Sequence, residues 1–305
     1  MVSKKILITG STGFIGAHVA KYLCNRGYTV IGVDKTLPKT PIDFKFIQFD
    51  LTDPCDSLPD VDIVLHLAAF NGTKYFYTDS FSVIKQNIIP TINLLERYRG
   101  KIERFVYAGS PESTAGATEF FNYPIPTDEH CPLVVEDPTN LRWSYAGSKA
   151  LGEQATIASK VPYTIIRYNN IFGPGQVNHF ISEFYDRIQQ GVYELHGWEN
   201  TRTFMYISDA VEATTQLIES TNAINQIVNV GGDQEVTILA VAKFMLNSLG
   251  ITDQSIICKE AATGSAKRRR PDVSKLKLLL NFQTQVTWQE GIIKTLKEFK
   301  CTSEL

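Results

Sequence analysis

The 305-residue chain contains no Cys-x-x-Cys pair. Its five cysteines (Cys24, Cys55, Cys131, Cys258 and Cys301) are scattered and odd in number, which argues against a disulfide framework or a zinc site. Histidine is sparse, and nowhere do His, Cys and carboxylates fall at metal-ligand spacing, so no metal is expected. No apolar run approaches the ~20 residues that span a bilayer, and no secretory leader opens the chain. We therefore expect a cytoplasmic protein with no membrane partner. An excess of one charge is missing too. Thirty basic and 32 acidic residues leave a formal net charge of −2, which gives no electrostatic reason to expect nucleic acid as a partner. The one basic run, "KRRR" at 267–270, reads as a solvated loop before a helix.

What is present is an alternation of strands and helices. "KILITG" (5–10), "YTVIGVD" (28–34), "FKFIQFD" (44–50), "VDIVLHLAA" (61–69), "RFVYAGS" (104–110) and "YTIIRYN" (163–169) are rich in β-branched and aromatic residues. Their near-continuous apolar character suits strands buried on both faces of a parallel sheet. Helical segments fall between them at 14–27, 81–100 and 141–160. This order predicts an α/β fold with a Rossmann-type doubly wound parallel sheet, its ligands at the carboxyl ends of the strands. After residue 170 the rhythm changes at "GPGQVN". We expect a dinucleotide-binding domain over 1–170, with segments around 203–232 returning to it. Residues 171–305 would then form mainly a smaller C-terminal α/β substrate lobe.

"ITGSTGFIG" sets Gly10, Gly13 and Gly16 between the first strand and the first helix. Glycine there allows a sharp turn, close approach to a pyrophosphate and tight helix–strand packing, while the helix N-terminus offers free N–H groups. Asp34 closes the second strand near the ~20-residue offset at which an acid meets an adenosine ribose, and it would repel a 2′-phosphate. NAD is therefore the expected cofactor. His66, inside an apolar strand, reads as a core or cofactor-loop histidine.

Of 13 tyrosines only Tyr145 has a lysine, Lys149, four positions on, one turn along a helix face. An unperturbed phenol, with a pKa of about 10, is a poor base at neutral pH, and a neighbouring ammonium favours the phenolate. The glycine spacing and the Tyr-x-x-x-Lys pair together resemble the short-chain dehydrogenase/reductase superfamily, specifically its extended, nucleotide-sugar-modifying branch. The resemblance runs nearly end to end, through Asp50-Leu51, "HLAA" at 66–69, Asn87, "RYNNIFGPG" at 167–175, "TRTFMYISD" at 201–209 and "RRRPDVSKLK" at 268–277. It implies cofactor contacts at Phe14, Ile15, Asp50, Leu51, Leu67, Ala68, Ala69 and Asn87, besides the glycines, Asp34, Tyr145 and Lys149. It also implies acid/base work on a sugar hydroxyl by Tyr145, with Ser110 sharing the proton. Asn170 and Asn178 match positions that touch the sugar and diphosphate, and Arg202 and Arg269 match positions that pair with diphosphate oxygens. By the same resemblance, the helices at 81–100 and 141–160 form the interface of a homodimer.

Glu112, in "SPE" at 110–112, bears on the reaction. Dehydratases and decarboxylases of the resembled branch commonly read Thr-x-Glu there, and a carboxylate could remove the C5 proton once C4 is a ketone. Two features depart from that pattern: Pro111 replaces an aspartic acid found in some dehydratases, and "STAG" replaces the usual Val-Tyr-Gly. Glu112 can also be read as a solvated loop residue. The substrate expected is a nucleotide-diphosphate sugar, and the reaction ranked first is 4,6-dehydration. After it come 4-epimerisation, decarboxylation of a nucleotide-linked uronic acid, and a non-catalytic NAD-binding sensor.

Overall fold

The computed structural model describes residues 3–261 and 266–303. The first half runs β1 (Lys5–Thr9), α1 (Phe14–Asn25), β2 (Thr29–Asp34), β3 (Lys45–Gln48), β4 (Ile63–His66), α2 (Thr73–Thr78), α3 (Ser80–Tyr98), β5 (Arg104–Gly109), α4 (Glu112–Phe120), α5 (Trp143–Ala158) and β6 (Tyr163–Asn169). The second half continues with β7 (Ile171–Phe172), α6 (Phe180–Gln189), β8 (Glu194–His196), β9 (Thr201–Thr203), β10 (Met205–Tyr206) and α7 (Ile207–Glu219). It ends with β11 (Gln226–Gly231), β12 (Glu235–Thr237), α8 (Ile238–Ser248), β13 (Ile257–Lys259), α9 (Ser274–Leu280) and α10 (Trp288–Ser303).

Seven strands form one parallel sheet in the order β11-β6-β5-β4-β1-β2-β3. Successive side chains of a strand point to opposite faces, and both faces here are apolar. Ile6 and Ile8 of β1 meet Val19 and Leu23 of α1 and Ala210 and Leu217 of α7 on one side. Leu7 faces the other way, with Phe105, Tyr107 and Ile165, toward Leu94, Leu95 and Tyr98 of α3. The sheet is therefore sandwiched between helices, as the strand sequences require.

The strand order reverses between β1 and β4, and this opens a crevice at their carboxyl ends. A separate core of Phe172, Ile181, Phe184, Leu195, Val241, Met245 and Ile292 holds the C-terminal part together beyond that edge. The chain returns from it twice, with α7 packing near α1 and β11 joining β6. No helix among the described residues is long and apolar enough to cross a membrane.

Candidate active site

The turn after β1 needs glycine at two points for different reasons. Gly10 has φ +68°, and a Cβ there would lie 2.8 Å from the Ala68 nitrogen. A Cβ on Gly16 would lie 2.1 Å from the Gly10 carbonyl oxygen, so glycine lets α1 sit directly on the turn. Gly10 and Gly13 line a cavity with Asp34, Asp50-Leu51 and the Leu67–Ala69 segment. Asp34 accepts the Thr12 hydroxyl at 2.7 Å through Oδ2 and the Thr36 N–H at 3.0 Å through Oδ1. Lys35 beside it is tied to Gln86 Oε1 at 2.7 Å. Phe14 and Ile15 pack against the sheet core while their backbone opens α1. Asn87 sits behind the cavity, where it accepts the Phe70 N–H at 2.7 Å and donates to Ser148 Oγ at 3.0 Å.

Across the crevice, α5 carries Tyr145 and Lys149, both nearly inaccessible. The Tyr145 ring stacks on Phe76 of α2 at 5.0 Å and 13°. Burial pushes the Tyr145 phenol above its ordinary pKa, a hydrogen bond with Ser110 pulls it back, and the Glu112 charge adds to the rise. Ser110 directly follows β5, so strand and helix converge on one point. Lys149 Nζ donates to the Ala108 carbonyl at 2.9 Å and lies 5.1 Å from the Tyr107 ring and 5.9 Å from the Tyr145 ring. Burial brings its pKa down to about 8, opposed by Glu153.

Glu112 is the first residue of α4, where a helix N-terminus favours negative charge. Arg269 grips its carboxylate with both terminal nitrogens, at 2.7 Å for Nη2 to Oε2 and closer still for Nη1 to Oε1. Arg142 Nη2 stands 3.6 Å from the same Oε2. Burial alone would raise the Glu112 pKa, but the charges of Arg269, Arg142 and Arg202 bring it below the ordinary carboxylate value. Arg202 donates to the Thr201 and Ala266 carbonyls at 2.7 and 2.9 Å. Burial, then repulsion from Arg269, brings it down to about 9. One carboxylate thus faces three guanidiniums.

Arg202 also lines a cavity of about 390 Å³ with Asn170, Asn178, His179, Phe204 and Thr73 of α2. Asn170 and Asn178 hold left-handed φ of 43° and 58°, a conformation asparagine tolerates better than most residues. Arg269 lies against Glu112 and lines no part of this cavity. The basic run is a loop before a helix, exposed at Lys267 and Arg268 and half-buried at Arg269 and Arg270. Arg268 bridges Glu235 at 2.6 and 2.8 Å within the C-terminal part, while Arg269 reaches across to Glu112 on the sheet side. Among the described residues no three His, Cys, Asp or Glu side chains gather to hold a metal ion.

Sequence reasoning passed over Arg142 and Phe76. Arg142 stands three residues before Tyr145, so helical spacing alone would have set it on the tyrosine's side. Phe76 carries no such signal, because it reaches Tyr145 only through the tertiary placement of α2.

A glycine turn facing a buried tyrosine–lysine helix across a sheet crevice is the arrangement of a dinucleotide-dependent enzyme. The chain belongs to the NAD dependent epimerase/dehydratase family, whose sequence model matches residues 6–231. A UDP-N-acetyl-alpha-D-glucosaminuronate decarboxylase of Bacillus cytotoxicus is 30% identical over 328 residues and covers 98% of each chain. The crystal structure of a UDP-glucose 4-epimerase from Thermotoga maritima, with UDP-glucose, superposes with a TM-score of 0.86 at 25% identity. That match covers 98% of this chain and 99% of the other. A UDP-glucuronic acid 4-epimerase from Bacillus cereus, in complex with UDP-4-deoxy-4-fluoro-glucuronic acid and NAD, superposes with a TM-score of 0.85 at 25% identity, over 98% and 99% of the chains. The family is NAD-dependent, and the cleft fits that cofactor: its turn leaves no room for a Cβ, and the carboxylate of Asp34 lines it.

Proposed function

We propose that the chain decarboxylates a nucleotide-linked uronic acid after transient oxidation at C4. The observation behind this reading is the excess of positive charge around Glu112. Among the described residues Arg269 is neutralised by that carboxylate, Arg142 comes no nearer to it than 3.6 Å, and Arg202 bonds two backbone carbonyls and forms no ion pair, although the charges of Glu112 and Glu119 act on it. A second carboxylate, the C6 group of a uronic acid, would complete the balance. Resemblance over the full length to a uronate decarboxylase points the same way.

NAD, when bound, supplies the acceptor for the C4 hydride and returns that hydride at the end. The chain's own residues handle the proton and the charge. Tyr145 takes the C4 hydroxyl proton, Ser110 hydrogen-bonds the same oxygen, and the Lys149 ammonium favours the phenolate. A C4 ketone is β to the C6 carboxylate, so the C5–C6 bond breaks with its electrons drawn toward the C4 oxygen. Tyr145 and Ser110 then stabilise the enolate, and C5 takes up one proton. No base at C5 is required. Dehydration, ranked first from sequence, asks Glu112 to act as that base, and a carboxylate clasped by Arg269 with a lowered pKa suits it poorly.

We further infer a cytoplasmic homodimer built on α3 and α5. The outer faces of these helices expose Phe81, Ile84, Ile92, Leu151 and Ile157. The reaction is tested by incubating the NAD-loaded protein with UDP-linked hexoses and uronic acids and weighing the products by mass spectrometry. Loss of CO2 from uronates alone is expected. Loss of water from a hexose, or an isomer of unchanged mass, would overturn the proposal in favour of dehydration or epimerisation.

A further inference from the structure

β4 ends on His66, which is 2% exposed and lines neither cavity. Both ring nitrogens are partnered: Nδ1 lies 2.7 Å from Thr9 Oγ1, and Nε2 lies 3.0 Å from Thr91 Oγ1. Neighbouring bonds settle the hydrogens. The single hydroxyl hydrogen of Thr91 goes to the Asn87 carbonyl at 2.8 Å, so Thr91 accepts from Nε2–H. Nδ1 is then bare and accepts from the Thr9 hydroxyl, which itself accepts the Ala68 N–H at 3.2 Å.

The chain of bonds has two functional ends. Ala68 belongs to the floor of the cofactor cavity. At the other end, Asn87 donates to Ser148 Oγ at 3.0 Å, and Ser148 donates to the Tyr145 carbonyl at 2.8 Å on the helix that carries the acid/base pair. Burial, reinforced by the Lys149 charge, brings the imidazole pKa down to about 3, so the neutral ring persists at working pH.

We propose that His66 is a positioning residue whose Nε2–H tautomer joins the floor of the NAD cavity to α5. It touches no reacting atom. Through Thr9 it fixes where Ala68 presents its backbone to the cofactor, and through Thr91 and Asn87 it fixes the register of the catalytic helix. This role belongs to the cofactor step shared by the whole family and does not depend on the decarboxylation reading.

The test is a double-mutant cycle read on the NAD-loaded protein by the rate of exchange of bound NAD against labelled NAD. Thr91→Val keeps the shape, lies outside the cavity and leaves Nε2–H without an acceptor. It is expected to speed NAD release about tenfold, the loss of one buried hydrogen bond. In a His66→Phe background the same substitution should add nothing. Unchanged release in Thr91→Val, or an equal effect in both backgrounds, would overturn the proposal. Should His66→Phe not fold, nitrogen-15 NMR of the wild-type ring decides: a neutral Nε2–H tautomer without titration down to about pH 4 is expected, and an Nδ1–H tautomer sinks the idea.

Discussion

Two side chains carry the predictions that belong to single residues. Among the described residues Arg142 meets a carboxylate only at Glu112, at 3.6 Å, which leaves most of its donors for a ligand. Arg142→Met should raise KM for a nucleotide uronate about 10- to 100-fold, the scale of one hydrogen bond to a charged group. Binding of NAD should be unchanged, and an unaltered KM would remove Arg142 from the substrate site. Lys149 carries the pH dependence. Its ammonium favours the Tyr145 phenolate only while charged, and its pKa is down to about 8. Turnover should therefore fall as pH rises through about 8. Lys149→Arg, charged throughout, should lose that alkaline limb, and a limb that persists in the variant would contradict the assignment. For stability the sign is opposite. A depressed lysine pKa means that folding opposes the charge, so the destabilisation is full below about 8 and fades toward the unfolded value of about 10.4. Lys149→Met should accordingly raise the unfolding temperature of the NAD-free protein at neutral pH.

Elements differ in how far the sequence discloses them. The first six strands of the large sheet and helices α1, α3 and α5 were legible, because both-face burial and amphipathic periodicity are local signals. α4 was not. "ESTAGATEF" is rich in Ser, Thr and Gly, weak helix formers. It is held by packing against α5 and by Thr and Ser hydroxyls that bond back to carbonyls, such as Ser113 to Ser110 at 2.6 Å. Glu112 therefore begins a helix, although its sequence reads equally as a loop. α2 is six residues long, too short for periodicity to register. The placement of Ser110 just after β5 and of Tyr145 and Lys149 one turn apart on α5 follows from strand ends and helical spacing. The grip of Arg269 on Glu112 joins residues 157 positions apart and has no local signature. The outer faces of α3 and α5 carry this scale's prediction. Phe81→Glu combined with Ile84→Glu should turn a dimer into a monomer in sedimentation equilibrium, and an unchanged mass would place the interface elsewhere.

At the scale of the whole molecule, the sheet with its helices meets the C-terminal core at one charged seam. The sheet domain contributes the cofactor turn, Ser110, Glu112 and the tyrosine–lysine helix. The C-terminal part contributes Arg202, Arg269 and the cavity beyond them. At this seam Arg202 and Arg269 join Arg142 around Glu112, with Glu119 also acting on Arg202, and our reading of the reaction rests on that local excess of positive charge. Its most direct test uses UDP-glucuronic acid carrying carbon-13 at C6, incubated with the NAD-loaded protein in deuterated water. The account predicts labelled carbon dioxide and a UDP-pentose with one deuterium at C5. A product that keeps the C6 label, whether isomerised or dehydrated, would contradict it.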